Sequence, residues 1–196
     1  MDDQNEKNFL ENLNFNKKIL FIHVPKCGGN FIKNIIGGFG GDSHRRCSEI
    51  PDSIFKKFYS LSFVRNPWSR VLSAYNYISK SGNMGSYDRN SKIKYLSNYS
   101  NFNEFIQKGG LNDANISQMH FKNQSYFLDK KINYIGKIEN FKTEVSFLHD
   151  ILGNNIDISK YNPKPYNNYQ KFYERKSIDI VYEVYKEDVL RFNYDF

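Results

Sequence analysis

Residues 22–30 read Ile22-His23-Val24-Pro25-Lys26-Cys27-Gly28-Gly29-Asn30, a strand end, a turn and a helix start in succession. Upstream, Lys17 to Val24 (KKILFIHV) is a compact apolar run rich in β-branched residues and closed by Pro25, the pattern of a buried strand. Downstream, Asn30 to Ile36 carries Phe31, Ile32, Ile35 and Ile36 on one helical face. Gly37 to Gly41 (GGFGG) stops that helix, because successive glycines take left-handed geometry cheaply. A strand, a glycine turn and a helix in direct succession gather backbone N–H groups and a helix N-terminus around one point, which suits phosphate or sulfate. Gly28 and Gly29 let the main chain approach an anion, and Lys26 adds a mobile positive charge. The nucleotide triphosphate loop G-x-x-x-x-G-K-[ST] is not matched, so no hydroxyl is placed for a magnesium ion. Taken alone, the fragment reads equally well as a plain β-turn.

Further along the chain, Tyr59 to Val64 (YSLSFV) alternates and predicts a second strand. Asn66 can cap and Pro67 can open a helix running to about Lys80. A short helix is expected at Pro51 to Phe58, others near Phe102 to Lys108 and Asn112 to Asn123, and a long one at Glu139 to Leu152. Lys131 to Ile138 reads as a third strand, and Ser177 as the cap of a last amphipathic helix with Ile178, Val181, Tyr185 and Val189 on one side. Ser81 to Ser100 and Asn155 to Lys171 read as surface loops. Residues 1–16, with Phe9, Leu10 and Leu13 at helical spacing, read as an N-terminal extension or short helix. Strands alternating with helices over 17–196 predict a single α/β domain: a parallel β-sheet flanked by helices, with a P-loop-like strand-turn-helix site.

The chain has 196 residues, 28 Lys and Arg against 21 Asp and Glu, and a formal net charge of +7. Such a surface attracts polyanions, nucleotides or anionic membrane, although Lys, Asn, Ile, Phe and Tyr are abundant throughout and the charge also reads as compositional. Two cysteines cannot form a disulfide scaffold, and no Cys/His cluster points to zinc. The opening MDDQNEKNF does not read as a signal peptide, and the apolar runs are too short to span a bilayer. A cytoplasmic protein is the expectation.

The second informative fragment is Phe63-Val64-Arg65-Asn66-Pro67-Trp68-Ser69-Arg70-Val71-Leu72-Ser73-Ala74-Tyr75. Arg65 falls where a strand ends and a helix begins, the edge at which open α/β sheets collect ligands. Arg65 with the Ser73 hydroxyl makes a fork for one terminal phosphate, each charged bond contributing roughly 1.5–3 kcal/mol. The competing reading has Arg65 and Arg70 as solvated helix-end charges.

Together the two fragments resemble the PAPS-dependent carbohydrate-type sulfotransferases, the family with heparan- and chondroitin-like members. Their domain takes sulfate from 3′-phosphoadenosine 5′-phosphosulfate (PAPS). The stretch IHVPKCGGNFI resembles the family's 5′-phosphosulfate loop, and Ser62 to Arg70 with Ser73-Ala74-Tyr75 resembles its 3′-phosphate motif. Further matches are His44, His120-Phe121-Lys122-Asn123-Gln124, Ile135 to Phe141, and the ending Tyr185 through Asp188 to Phe196. The resemblance implies that Lys26 stabilises the leaving phosphate and that amides from Cys27 through Gly28, Gly29 and Asn30 to Phe31 cradle the phosphosulfate. It implies that Arg65 and Ser73 hold the 3′-phosphate, that no metal is needed, and that the acceptor is a saccharide or other hydroxyl compound, with no nucleic acid partner. Asn30 departs from the family's Ser or Thr; an amide there still donates a hydrogen bond.

A base must take the acceptor proton, and there are four histidines. His44 resembles the family's base; read without that resemblance it is an exposed loop residue beside Arg45 and Arg46. His23 reads as packed and His149 as a helix residue. His120, with Gln124 one turn on, reads as an acceptor contact, and Glu139 as either that or ordinary compensation of a helix dipole. Cys27 beside Lys26 at a helix start also admits a reactive-thiol reading, but no paired base accompanies it. Rival functions are an ATP-dependent phosphotransferase on a related fold, a PAPS-binding relative without activity, and a basic nucleic-acid-binding module. No RRM, KH or helix-turn-helix signature supports the last.

Overall fold

The computed structural model describes residues 13–14, 16, 18–36, 44–80, 86–152 and 168–196. In chain order the elements are β1 (Leu13–Asn14), β2 (Ile19–Ile22), α1 (Gly29–Ile36), α2 (Asp52–Lys57), β3 (Tyr59–Val64) and α3 (Pro67–Ser79). There follow α4 (Ser86–Ser91), α5 (Phe102–Gln107), α6 (Gly110–Ser117), α7 (Gln124–Phe127), β4 (Tyr134–Lys137), α8 (Phe141–Leu152), α9 (Arg175–Val184) and α10 (Lys186–Arg191). The described residues gather into two compact units. The first holds those up to Arg65 and from Tyr126 to 152, the second Asn66–Ser125 and residues 168–196. Among the described residues no helix is long and apolar enough to cross a membrane.

The first unit carries the sheet, in the order β1-β2-β3-β4. β2, β3 and β4 are parallel, and β1 pairs antiparallel with β2. The chain is therefore an α/β protein with a mostly parallel sheet, as expected. β2 is buried at all four positions, which is why its sequence is continuously apolar rather than alternating. In β3 the alternation has a structural meaning. Leu61 and Phe63 pack with Ile19, Phe21, Ile32, Ile35, Ile36 and Phe141 in one core. Ser62 donates through Oγ to the carbonyl of Ile22 at 2.7 Å, and Ser60 donates through Oγ to Asn133 at 2.7 Å. These buried hydroxyls are thereby satisfied. Ile22 lies opposite Ser62, and Val64 opposite Lys137, so Arg65 and Ile138 follow the carboxyl ends of adjacent strands.

The second unit is helical. Asn66 accepts from the amides of Trp68 and Ser69 at 3.1 and 3.3 Å, and Pro67 opens α3, so the predicted helix start is realised. The single tryptophan, Trp68, is 2 % exposed in a core with Leu72, Phe105, Phe121, Val181 and Tyr185. Its indole donates to the carbonyl of Ile178 at 3.1 Å, and Asn66 donates to the carbonyl of Asp195 at 2.6 Å. The Asn-Pro-Trp motif thus ties down both the last helical region and the chain's end.

Several expectations are corrected. Ser81 to Ser100 is not a featureless excursion: residues 86–91 form α4, Lys92–Leu96 form a π-helical turn, and Tyr95 and Leu96 are buried. Ser177 does not cap. α9 begins at Arg175, and Ser177 is fully buried within it, accepting from Gln107 at 3.0 Å. The expected helix Asn112 to Asn123 ends at Ser117, and α7 follows as a separate turn. Leu13 belongs to a strand rather than a leading helix. The glycine run 37–41, the loop 155–167 and residues 1–12 lie outside the described residues.

Candidate functional site

In the first unit the chain leaves β2 through His23 and Val24 and turns at Pro25 to Gly28 into α1. Two residues of the turn are left-handed, Lys26 at φ 66° and Gly28 at φ 76°. Turns built on such residues make the concavities in which main-chain amides meet anions. The Gly28 carbonyl accepts from the amides of Phe31 and Ile32 at 3.0 and 3.1 Å, which starts the helix. Cys27 is buried, with its thiol 3.6 Å from the Pro25 carbonyl. Asn30 is exposed on the first helical turn, and Phe31 packs edge-on against Phe141 at 4.4 Å between ring centroids.

Protein neighbours account for both glycines. A Cβ at Gly29 would stand 1.8 Å from Nε2 of His23, and one at Gly28 would stand 2.7 Å from Cδ1 of Ile138. Residue 29 is therefore glycine because an imidazole occupies the space of its side chain. Residue 28 favours glycine for its left-handed φ, and a side chain there would have to displace the terminal methyl of Ile138, the isoleucine that follows β4.

Arg65 joins the two sequence motifs. It is 8 % exposed, and its Nη1 donates to the carbonyl of Lys26 at 3.3 Å. The guanidinium at the end of β3 thus reaches the turn after β2, and the solvated reading of this residue fails. Arg70 is 1 % exposed, so that reading fails there too. It lies in the second unit near Asp188 and Tyr185, where its charge favours the ionised form of each.

His44 is half-buried and not a free loop residue. Its Nδ1 lies 3.0 Å from the main-chain oxygen of His23, and its ring centroid lies 4.2 Å from the His23 ring. A carbonyl only accepts, so Nδ1 carries the hydrogen and neutral His44 keeps its lone pair on Nε2. His23 stacks in turn on Phe21, with 5.7 Å between centroids. The neighbouring Arg46 is held by Asp129 at 2.6 Å and lies over the Tyr126 ring at 4.6 Å. Burial pushes the Asp129 carboxyl up, and Ser48 and Arg46 more than offset this, leaving it below the ordinary value. Glu139 sits exposed in the 3-10 turn Ile138–Asn140 after β4.

In the second unit, Ser73 is 8 % exposed on α3. His120 is 9 % exposed, with Nε2 3.5 Å from Oδ1 of Asp88. Tyr77 donates to the other oxygen of Asp88 at 3.0 Å, and its ring meets that of His120 edge-on at 4.9 Å. A His–Asp–Tyr cluster is thus formed from residues far apart in the chain. No motif marks Asp88, which falls in the segment read as a loop. Gln124 is completely buried, and its amide donates to Asp188 at 2.7 Å, beside the amide of Ser125 at 2.8 Å. Among the described residues no three His, Cys, Asp or Glu side chains cluster as a metal site.

A sequence model described as the sulfotransferase family matches residues 13–195. No curated protein and no solved structure matches the chain.

Proposed function

The chain belongs to the sulfotransferase family, and from that premise we propose that it moves a sulfuryl group from PAPS to a hydroxyl of a carbohydrate acceptor, with His44 as general base. Family membership itself supports sulfuryl transfer as the reaction class. The observation that carries the finer reading is the bond from Arg65 to the Lys26 carbonyl, which brings one guanidinium to the lysine-glycine turn. An ammonium, a guanidinium and a left-handed turn at a helix start are a donor set for phosphate and sulfate oxygens, so the residues present fit the donor.

PAPS supplies the sulfuryl group and a phosphate that leaves. Lys26 stabilises the charge gathering on the leaving oxygen, and the amides from Cys27 to Phe31 cradle that group. Arg65 takes the 3′-phosphate, and the resemblance adds the hydroxyl of Ser73. His44 Nε2 removes the proton of the acceptor hydroxyl as the new oxygen–sulfur bond forms. The bond from sulfur to the 5′-phosphate oxygen breaks, and its electron pair leaves with the phosphate. Most of the acceleration then comes from positioning and charge stabilisation, with the base adding about 10²–10⁴-fold. His120, Gln124 and Glu139 are assigned to the acceptor side; for Gln124, which is fully buried, that means orienting α7 rather than touching the sugar.

Calorimetric titration with adenosine 3′,5′-bisphosphate, ATP and a DNA oligomer tests the donor reading. The bisphosphate should bind most tightly. ATP binding of equal strength would favour a phosphotransferase, and preferential DNA binding would favour a nucleic-acid module.

A further inference from the structure

The proposed base and the phosphosulfate turn share one neighbour with no role in the scheme above, the imidazole of His23. It is 5 % exposed and lies against three groups at once. On one side its ring meets His44 with 4.2 Å between centroids and a 55° tilt. On another it stacks on Phe21 at an interplanar angle of 23°. At its edge, Nε2 and Cδ2 fill the volume that a side chain at residue 29 would need, 1.8 and 1.9 Å from that position. The same residue's carbonyl receives Nδ1–H of His44 at 3.0 Å.

We propose that His23 is a positioning residue for the transfer reaction: its carbonyl and its ring together hold His44 in the Nδ1–H tautomer, with Nε2 bearing the lone pair, and the ring fixes His44 relative to the first turn of α1. This rests on the reading of His44 as base. A hydrogen bond at one nitrogen sets which other nitrogen is basic. One bond to a carbonyl leaves an imidazole free to swing about it, and the flat face of a second ring removes that freedom. Phe21 keeps the His23 ring from turning away, and the absent side chain at Gly29 lets it lie directly on the helix start. Strand, turn, helix and base are therefore connected through one side chain.

The test is the tautomer of His44, read from the nitrogen chemical shifts of its imidazole in the full chain at neutral pH, which requires no acceptor. In the unaltered protein His44 should show the Nδ1–H form alone; a substantial Nε2–H population there overturns the proposal. His23→Ala removes the brace, and Gly29→Ala displaces the same ring without touching residue 23. In each, checked for folding by circular dichroism, the His44 signals should shift to a mixture of both tautomers. An unchanged single tautomer in either folded variant also overturns the proposal. A parallel titration of the unaltered protein with adenosine 3′,5′-bisphosphate keeps the outcomes apart. Failure to bind defeats the donor reading and leaves the tautomer result standing.

Discussion

The guanidinium of Arg65 and the main-chain carbonyl of Lys26 are 3.3 Å apart, although the residues belong to different strand–helix connections. The parallel register explains the meeting. Ile22 lies opposite Ser62, so β3 runs two residues past the end of β2, and Arg65 emerges above the turn that follows β2. Arg65→Met, which keeps the length of the side chain, should weaken bisphosphate binding about 10–100-fold through the lost charged bonds. Calorimetry measures this, and affinity within twofold of the unaltered protein would remove Arg65 from the nucleotide site.

His44→Ala should lower turnover with a sulfatable saccharide by about 10²–10⁴-fold while bisphosphate affinity holds, because a base acts on the acceptor and not on the nucleotide. Steady-state kinetics with calorimetry separates the two effects. Normal turnover would move the search for the base to His120 or Glu139.

Asp88 accepts from the Tyr77 hydroxyl and lies beside His120, and Asp88→Ala should cost about 0.5–1.5 kcal/mol of folding stability through the lost Tyr77 bond. Urea unfolding reads this directly. A loss near zero would mean that α4 is held by its other contacts.

Asp188 is buried, faces Arg70 and receives the amides of Gln124 and Ser125. Asp188→Ala should cost about 1–3 kcal/mol, since it takes the acceptor from the two buried amides of Gln124 and Ser125. Burial also lifts the Asp188 carboxyl above its ordinary value. A carboxyl raised in the folded state adds stability at low pH, and that contribution is lost as pH rises through its folded pKa.

Glu104 has the opposite sign. Its bonds to Lys108 and to the Ser100 amide pull the carboxyl down to about 2 from 4.5. Its contribution is present above 4.5 and is lost as pH falls toward about 2. A carbon-detected NMR titration should find Glu104 below the other glutamates, and in Lys108→Met it should move back toward 4.5. An unchanged midpoint in that variant would assign the shift to Ser100 alone.

The sequence disclosed those parts of the fold whose causes are local. β3 follows from the alternation of Tyr59–Val64, and α3 from an asparagine cap and a proline in succession. The region 86–96 was illegible because its order comes from distant partners: the Tyr95 hydroxyl meets Ser117 at 2.5 Å, and Asp88 meets His120. Ser177 misled for the same reason, since a serine near a helix start resembles a cap until Gln107 is known to bond to it. At the candidate site, Lys26, Arg65 and His44 were readable as types in a motif. The sequence explained Gly28 and Gly29 by an approaching anion, whereas His23 and Ile138 fill the space beside them. That explanation needs the positions of β2 and β4, which no spacing in the chain reveals.

Lys26 has consequences for any attempt to evolve this protein. A side chain at φ 66° costs about 1–2 kcal/mol that glycine would avoid. A library screened for heat tolerance alone should drift at position 26 toward glycine or asparagine and shed the ammonium. A library screened for capture of the bisphosphate should retain lysine there and bear the strain. The residue recovered at this one position reports which selection was applied.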